Sequence, residues 1–275
     1  MIKEMLENVR NTHPLIHNIT NYVTVNDCAN ILLACGASPI MADDAGEAEE
    51  ITGICGGLNI NIGTLNQRTI PAMLAAGRRS NELGHPVVLD LVGAGASVLR
   101  TKTANELLNQ IRFTVIRGNI SEIKALVLGA GTTKGVDADM ADSVTKENLL
   151  QAAEFARGFS QKTGAVVAVT GAIDIVADEA KAYCIFNGHP MMSRITGTGC
   201  QLSSLVAAYV TANPNKSLEA TVAALCAMGV CGEKAYNRLT REDGNATYRN
   251  YIIDAVYRLD GEELERCARY EQVLG

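Results

Sequence analysis

The stretch ITGTGCQLSSLVAAYV, residues 195–210, sets glycines at 197 and 199 and a thiol at Cys200 against the start of an apolar run. A helix beginning near residue 198 leaves the backbone N–H groups of residues 197–200 without intrahelical acceptors, at the positive end of the helix dipole. Gly197 and Gly199 relax the backbone demands of the turn and let it come close to a ligand. Such a turn suits an anion. Phosphoryl transfer needs fixed N–H donors of this kind, because the migrating group spreads negative charge over its equatorial oxygens. A thiol in the first helical turn is also drawn toward thiolate. The competing reading makes Cys200 a small apolar residue packed at a helix start.

Further candidates fall where strands end. In open α/β sheets ligands bind beyond the carboxyl ends of the strands, and Asp90 after PVVL, Arg117–Glu122 after TVI and Thr170-Gly171 after AVVAV all lie there. Asp90 closes an apolar strand, where a carboxylate is costly to bury and needs a partner. It either caps the next turn or holds Mg²⁺, directly or through water. Asn119 and Glu122 have the N-x-x-E spacing of a near capping box, which is the simpler account on spacing alone. The functional account has Glu122 organise magnesium waters beside Asp90 while Arg117 reaches a nucleotide phosphate, and one side chain can serve both. The GAGAS turn (93–97) lacks a dinucleotide fingerprint, since Val98 stands where the third glycine belongs, and reads as a tight turn. GAGTTKG (129–135) does not supply a P-loop.

The elements that must position these residues follow from switches in apolar period. Strands are expected at LIHNIT (15–20), SPIM (38–41), LNINIG (58–63), PVVLD (86–90), TVIRG (114–118) and AVVAVTG (165–171). Helices are expected over YVTVNDCANILLAC up to Gly36, over GEAEEITGIC, from Pro71 to Leu83 with a stop at Gly84, near 98–110, after TVIRG, and over KENLLQAAEFARGFSQKTG. Residues 174–188 break the alternation and read as a hairpin. From 198 the pattern is helical throughout: 198–211, about 217–238 and about 246–258. The alternation predicts an α/β fold, three layers (α/β/α) with a mostly parallel central sheet, in a single domain spanning 1–275.

Composition narrows the field. The 275 residues suffice for a sizeable core, and 47% hydrophobic against 20% charged residues excludes disorder. A formal net charge of -6 gives no general attraction to nucleic acid or anionic membranes, and no Lys/Arg run marks a local basic patch. The charged N-terminus lacks a signal-peptide core, and no stretch approaches the ~18 apolar residues of a membrane helix. The eight cysteines form no C-x-x-C pair and sit in apolar patterns, as expected of reduced core residues in a cytoplasmic protein. Four histidines and no H-E-x-x-H argue against a zinc site.

Several of these motifs, in order, resemble the ribokinase-like superfamily, with its N-x-x-E for magnesium and its G-x-G-D turn whose Asp is the base. The closer resemblance is to the hydroxyethylthiazole kinase family, which has Cys in place of that Asp, as in ITGTGC here. It extends through HNITNYVTVNDCAN (17–30), SPIMADDAGEAEEI (38–51), LNINIGTLN (58–66), VVLDLVGAGAS (87–97), VIRGNISEI (115–123), VAVTGAIDIVAD (167–178) and NGHPMMSRITGTGC (187–200). The resemblance implies ATP-dependent, magnesium-assisted phosphorylation of the hydroxyl of 4-methyl-5-(2-hydroxyethyl)thiazole in thiamine biosynthesis. It implies Cys200 as the catalytic residue, Met41 and Gly197 at the substrate, Arg117 and Thr170 at ATP, and Asp90 and Glu122 at magnesium. Asn21 is a further candidate for the substrate pocket. It also implies a homotrimer with active sites between subunits. The family usually reads D-P-V-G-A-G after the strand, whereas this chain has Leu91 in place of the proline. Leucine frees φ and restores an N–H, so a less rigid turn is expected.

Overall fold

The computed structural model describes residues 1–129 and 143–275. All of GAGTTKG after Gly129 lies outside the described residues. The first part of the chain runs α1 (Ile2–Thr12), β1 (Leu15–Ile19), α2 (Val25–Cys35), β2 (Ser38–Met41), α3 (Ala48–Ile54), β3 (Gly57–Asn61) and α4 (Thr69–Leu83). It continues through β4 (Val87–Asp90), α5 (Val98–Gln110), β5 (Val115–Asn119), α6 (Ile120–Gly129), α7 (Leu149–Thr163) and β6 (Val166–Thr170). The hairpin β7 (Asp174–Ala177) and β8 (Ala182–Ile185) follows, then a 3₁₀ turn at Pro190–Arg194. The chain ends with α8 (Thr198–Ala212), α9 (Ser217–Arg238), α10 (Asn245–Arg258), α11 (Gly261–Cys267) and β9 (Tyr270–Leu274).

The strands form one nine-stranded sheet in the order β2-β1-β3-β4-β5-β6-β7-β8-β9. The six strands from β2 to β6 pair in parallel, and the hairpin and β9 pair antiparallel, as the break in alternation predicts for the hairpin. One core packs α1, α2, α8, α9 and α10 on one face, against Ile16, Val88, Val115, Val166 and Ala168. The other core packs α4, α5 and α7 against Leu58, Ile60, Val87, Leu89, Ile116, Val167 and Val169. This is the expected three-layer, ribokinase-like arrangement.

Strand residues alternate between faces, so the two cores fix where the polar strand ends point. Asp90 shares a face with Val88, Arg117 with Val115, and Thr170 with Val166 and Ala168. Asn59 and Asn61 lie opposite Leu58 and Ile60. All of them therefore face α8 at the carboxyl end of the sheet. Register places Asn61 beside Asp90, Asp90 beside Arg117, and Asn119 beside Thr170.

Some boundaries differ from expectation for local reasons. α2 starts at Val25 rather than Tyr22, because residues 21–24 form a turn in which Asn21 Oδ1 accepts the Thr24 N–H at 3.2 Å. α4 starts at Thr69, which leaves Pro71 inside the first turn, where its missing N–H costs nothing. α1, α11 and β9 were not expected from the sequence pattern. None of the described helices is long and apolar enough to cross a membrane.

Candidate active site

α8 begins as its sequence predicts. Gly197 is the N-cap in the left-handed region (φ 88°), and the first intrahelical bond runs from Gln201 N–H to Gly197 O at 2.9 Å. The N–H groups of Thr198, Gly199 and Cys200 find no acceptor among the described residues. A Cβ on Gly199 would come within 2.5 Å of the Arg117 guanidinium, so only glycine lets that cation lie against the helix start. The Arg117 Nε is itself buried without a partner. The amides of residues 198–200 keep their hydrogens unspent, and the Arg117 Nη atoms lie against Gly199 among them, a donor set that suits an oxyanion group.

Arg117 ties two strand ends together. Its Nη1 donates to Asp90 Oδ1 at 3.0 Å and its Nη2 to Thr170 Oγ1 at 2.7 Å. Asp90 is fully buried, and Asn61 Nδ2 donates to its other oxygen at 2.7 Å. Burial pushes the Asp90 carboxyl above its ordinary value; Arg117 opposes this and the charge of Glu122 adds to it. On the other side Asn21 Nδ2 donates both to Asn61 Oδ1 and to Cys200 Sγ, each at 3.1 Å. Thr24 Oγ1 donates to Asn21 Oδ1 at 3.0 Å, which fixes the orientation of that amide. The result is one hydrogen-bonded series from Cys200 through Asn21, Asn61, Asp90 and Arg117 to Thr170.

The thiol differs from expectation. Cys200 is only 7% exposed, and burial, reinforced by the charge of Asp90, pushes its thiol above the ordinary value despite the hydrogen bond from Asn21. The helix start does not make a thiolate here, because desolvation and a nearby carboxylate outweigh the pull of the dipole. Cys200 is a protonated thiol at neutral pH.

Glu122 does what the spacing predicts of a cap. Its Oε2 accepts the Asn119 N–H and Asn119 Oδ1 accepts the Glu122 N–H, both at 2.8 Å. Its Oε1 accepts the Gly93 N–H at 2.8 Å, so the same carboxylate also holds the GAGAS turn. That turn is tight, with Gly93 at φ 74° and Gly95 at φ 87° and bonds from Ala94 N–H to Leu91 O and from Ala96 N–H to Gly93 O. Leu91 does not loosen it. Its N–H donates to Arg117 O at 2.9 Å and its side chain is buried in the core, a bond that proline could not make.

A cavity of about 490 Å³ opens beside this series, lined by Arg117, Thr170, Thr198 and Gly199 and walled by Asp174, Asn187, His189, Met192 and Met228. Of the residues expected at the site, Arg117 and Thr170 line it, whereas Met41, Gly197, Cys200, Asp90 and Glu122 do not. Met41 stands half-buried at the carboxyl end of the edge strand β2, in register with Asn18. Asn61 and Thr24 escape the sequence reading, as do the wall residues. The alternation of asparagines in LNIN next to Asp90 is a signal for Asn61, whereas the wall is drawn from β7, the 3₁₀ turn and α9, which no local pattern joins.

The sequence model of the hydroxyethylthiazole kinase family matches residues 6–262. The chain belongs to the hydroxyethylthiazole kinase family. It is 68% identical to the hydroxyethylthiazole kinase of Clostridium acetobutylicum over 98% of this chain and 99% of that one. The structure of a hydroxyethylthiazole kinase protein from Pyrococcus horikoshii superposes with a TM-score of 0.88 at 36% identity, covering 99% of this chain and 98% of that chain. A pyridoxal kinase from Staphylococcus aureus in complex with AMP-PCP shares the fold, with a TM-score of 0.63 at 16% identity over 95% of this chain and 98% of that chain. In this hydroxyethylthiazole kinase family member, the ITGTGC turn that carries the resemblance and the unspent donors at the start of α8 are the same residues.

Proposed function

We propose that the protein phosphorylates the hydroxyl of 4-methyl-5-(2-hydroxyethyl)thiazole with ATP, as a cytoplasmic enzyme of thiamine biosynthesis and salvage. The observation that carries the reading is the set of free amides at the start of α8, where Thr198, Gly199 and Arg117 line the 490 Å³ cavity and Cys200 follows them in the same helical turn. Arg117 and Thr170 bind ATP phosphate, and the amides of 198–200 hold the equatorial oxygens of the group in transit. The alcohol oxygen forms the new bond to the γ-phosphorus, the bond from that phosphorus to the β–γ bridging oxygen breaks, and the hydroxyl proton passes to a phosphoryl oxygen. Cys200 orients the alcohol rather than deprotonating it, because its thiol is held protonated. A loose transition state gives a strong base little to do. Met41 and Gly197 contact the thiazole side, where a soft thioether suits a sulfur heterocycle.

Asp90 and Glu122 fit Mg²⁺ held through water. Each carboxylate oxygen already accepts one hydrogen bond and keeps a second lone pair, and Mg²⁺ retains several waters and asks for only one or two carboxylates. The ion would neutralise charge between the phosphates.

The homotrimer is part of the same proposal. Met41 lies on the edge strand, outside the cavity, while Tyr22 and Val23 after β1 and Ile54 at the end of α3 expose 77%, 54% and 63% of their surface. A neighbouring subunit seated on that edge closes the substrate side around Met41. Analytical ultracentrifugation should return three times the 29.2 kDa chain mass. The activity is tested by coupled ADP release with the thiazole alcohol and a hydroxymethylpyrimidine, with and without magnesium. Magnesium-dependent turnover of the thiazole alcohol, in preference to the pyrimidine, is expected; silence with the thiazole, or preference for the pyrimidine, overturns it.

A further inference from the structure

The series that joins Cys200 to Asp90 passes through two side chains, Asn21 and Asn61, and it is Asn61, the last residue of β3, that meets Asp90. Asn61 is 1% exposed, and its amide is used in both directions. Nδ2 donates to Asp90 Oδ2 at 2.7 Å, while Oδ1 accepts from Gly63 N–H at 2.8 Å and from Asn21 Nδ2 at 3.1 Å. The orientation is forced, because two donors meet the oxygen and a carboxylate meets the nitrogen. The surroundings are built for it. A Cβ on Gly63 would lie 2.9 Å from Asn61 Oδ1 and 3.1 Å from Asn21 Nδ2, so the glycine is what lets the chain close over the two amides. Asn21 then places its remaining contact, 3.1 Å, on the sulfur of Cys200.

We propose that Asn61 is a positioning residue for phosphoryl transfer, holding the Cys200 sulfur, through Asn21, at a fixed place relative to Asp90. This rests on the reading of Cys200 given above. No other residue type of similar size does the same. Aspartate at 61 offers no donor to Asp90 and sets two carboxylates face to face, and leucine leaves Asp90 and Asn21 unpaired in a buried site. Because reacting groups must be held within a fraction of an ångström, loss of the amide costs turnover rather than affinity.

The test is a double-mutant cycle with steady-state kinetics on the full chain. Asn61→Ala and Asn61→Ser should lower kcat by roughly 10- to 100-fold, leave both KM values within about threefold, and add less than about threefold on top of Cys200→Ala. The isosteric Asn61→Asp, which preserves packing, should lose more than Asn61→Ser, and keeps the test alive should the alanine variant fold poorly. A Cys200→Ala enzyme at full rate overturns the catalytic reading of Cys200 itself. A slow Cys200→Ala enzyme in which Asn61→Ala or Asn61→Asp exacts its whole loss again overturns only the positioning role, as does an Asn61→Asp enzyme at wild-type kcat.

Discussion

Cys200 and Leu91 show how much a single side chain decides at this site. The thiol is buried next to Asp90, and both facts hold it protonated, so its value lies in where it places the alcohol. Cys200→Ala is therefore expected to lose roughly 10²-fold in kcat through misplacement of the alcohol, and Cys200→Asp, which keeps an acceptor in the same place, to stay active; initial rates of ADP release decide both. At Leu91 the N–H bonded to Arg117 O makes proline the worse residue in this chain. Leu91→Pro should lower stability by about 1 kcal/mol or more through that lost bond, read as a fall in denaturant midpoint. Cys200, Asp90, Arg117 and Glu122 were legible in the sequence because each stands at a strand end or helix start, where a polar or reactive side chain is locally out of place. Thr24 and Asn61 were not, and Asn21 came only through the resemblance, since asparagine and threonine near strand ends read equally well as turn formers. Only the register of β3 on β4 turns Asn61 into a partner of Asp90.

At the scale of elements, the parallel strands and the hairpin announce themselves by period, and the ends of the chain do not. α1 buries Ile2, Met5, Leu6 and Val9 at helical spacing, but in the sequence its scattered charges dominate. α11 carries a cap that spacing could have revealed, Asp260 accepting the Glu263 N–H at 2.7 Å. β9 is short, with Glu271 and Gln272 exposed in succession and its other residues half-buried, so it has no alternation to read. These terminal elements matter to the site. Glu233 on α9 accepts from Gly188 N–H at 2.7 Å and from Arg269 Nη2 at 2.6 Å, and Asn187 Oδ1 accepts the Arg269 N–H at 2.6 Å. Asn187, Gly188 and His189 form one wall of the cavity, so the segment leading into β9 clamps that wall from outside. Glu233→Ala should free the wall without touching the reacting atoms. The expected result is a KM for ATP raised about fivefold, the equivalent of roughly 1 kcal/mol, with kcat little changed. A lowered kcat at unchanged KM would place Glu233 elsewhere in the mechanism.

Across the whole molecule, two titratable groups on different parts of the sheet, buried His17 and half-buried Asp174, give opposite responses to acid. His17 on β1 bonds Ala42 O through Nε2 at 2.8 Å and Thr52 Oγ1 through Nδ1 at 2.9 Å, tying β1, the strand next to the edge, to α3 and to the segment just after Met41. Burial lowers its pKa, so the folded protein keeps it neutral, with Nε2–H donating to Ala42 O and Nδ1 facing the Thr52 hydroxyl, which also donates to Ala48 O at 2.7 Å. Its folded value lies below the unfolded ~6.5, so the unfolded chain binds the extra proton first. The stability His17 contributes is present above ~6.5 and is lost as pH falls from there through the folded value. Asp174, in the cavity wall, is pushed by burial up to about 6, so here the folded state binds the proton first. Between about 6 and the unfolded value of ~3.9, acid therefore stabilises the fold through Asp174 and destabilises it through His17. The two partly cancel in the native protein and can be separated by substitution. Between pH 7.5 and 5, Asp174→Asn should steepen the fall in Tm on acidification and His17→Asn should flatten it, both measured by thermal melts at fixed ionic strength. Parallel curves for both variants and the native chain would mean that neither group changes its protonation on folding. In that case the link between the edge strand and the central sheet would be indifferent to pH.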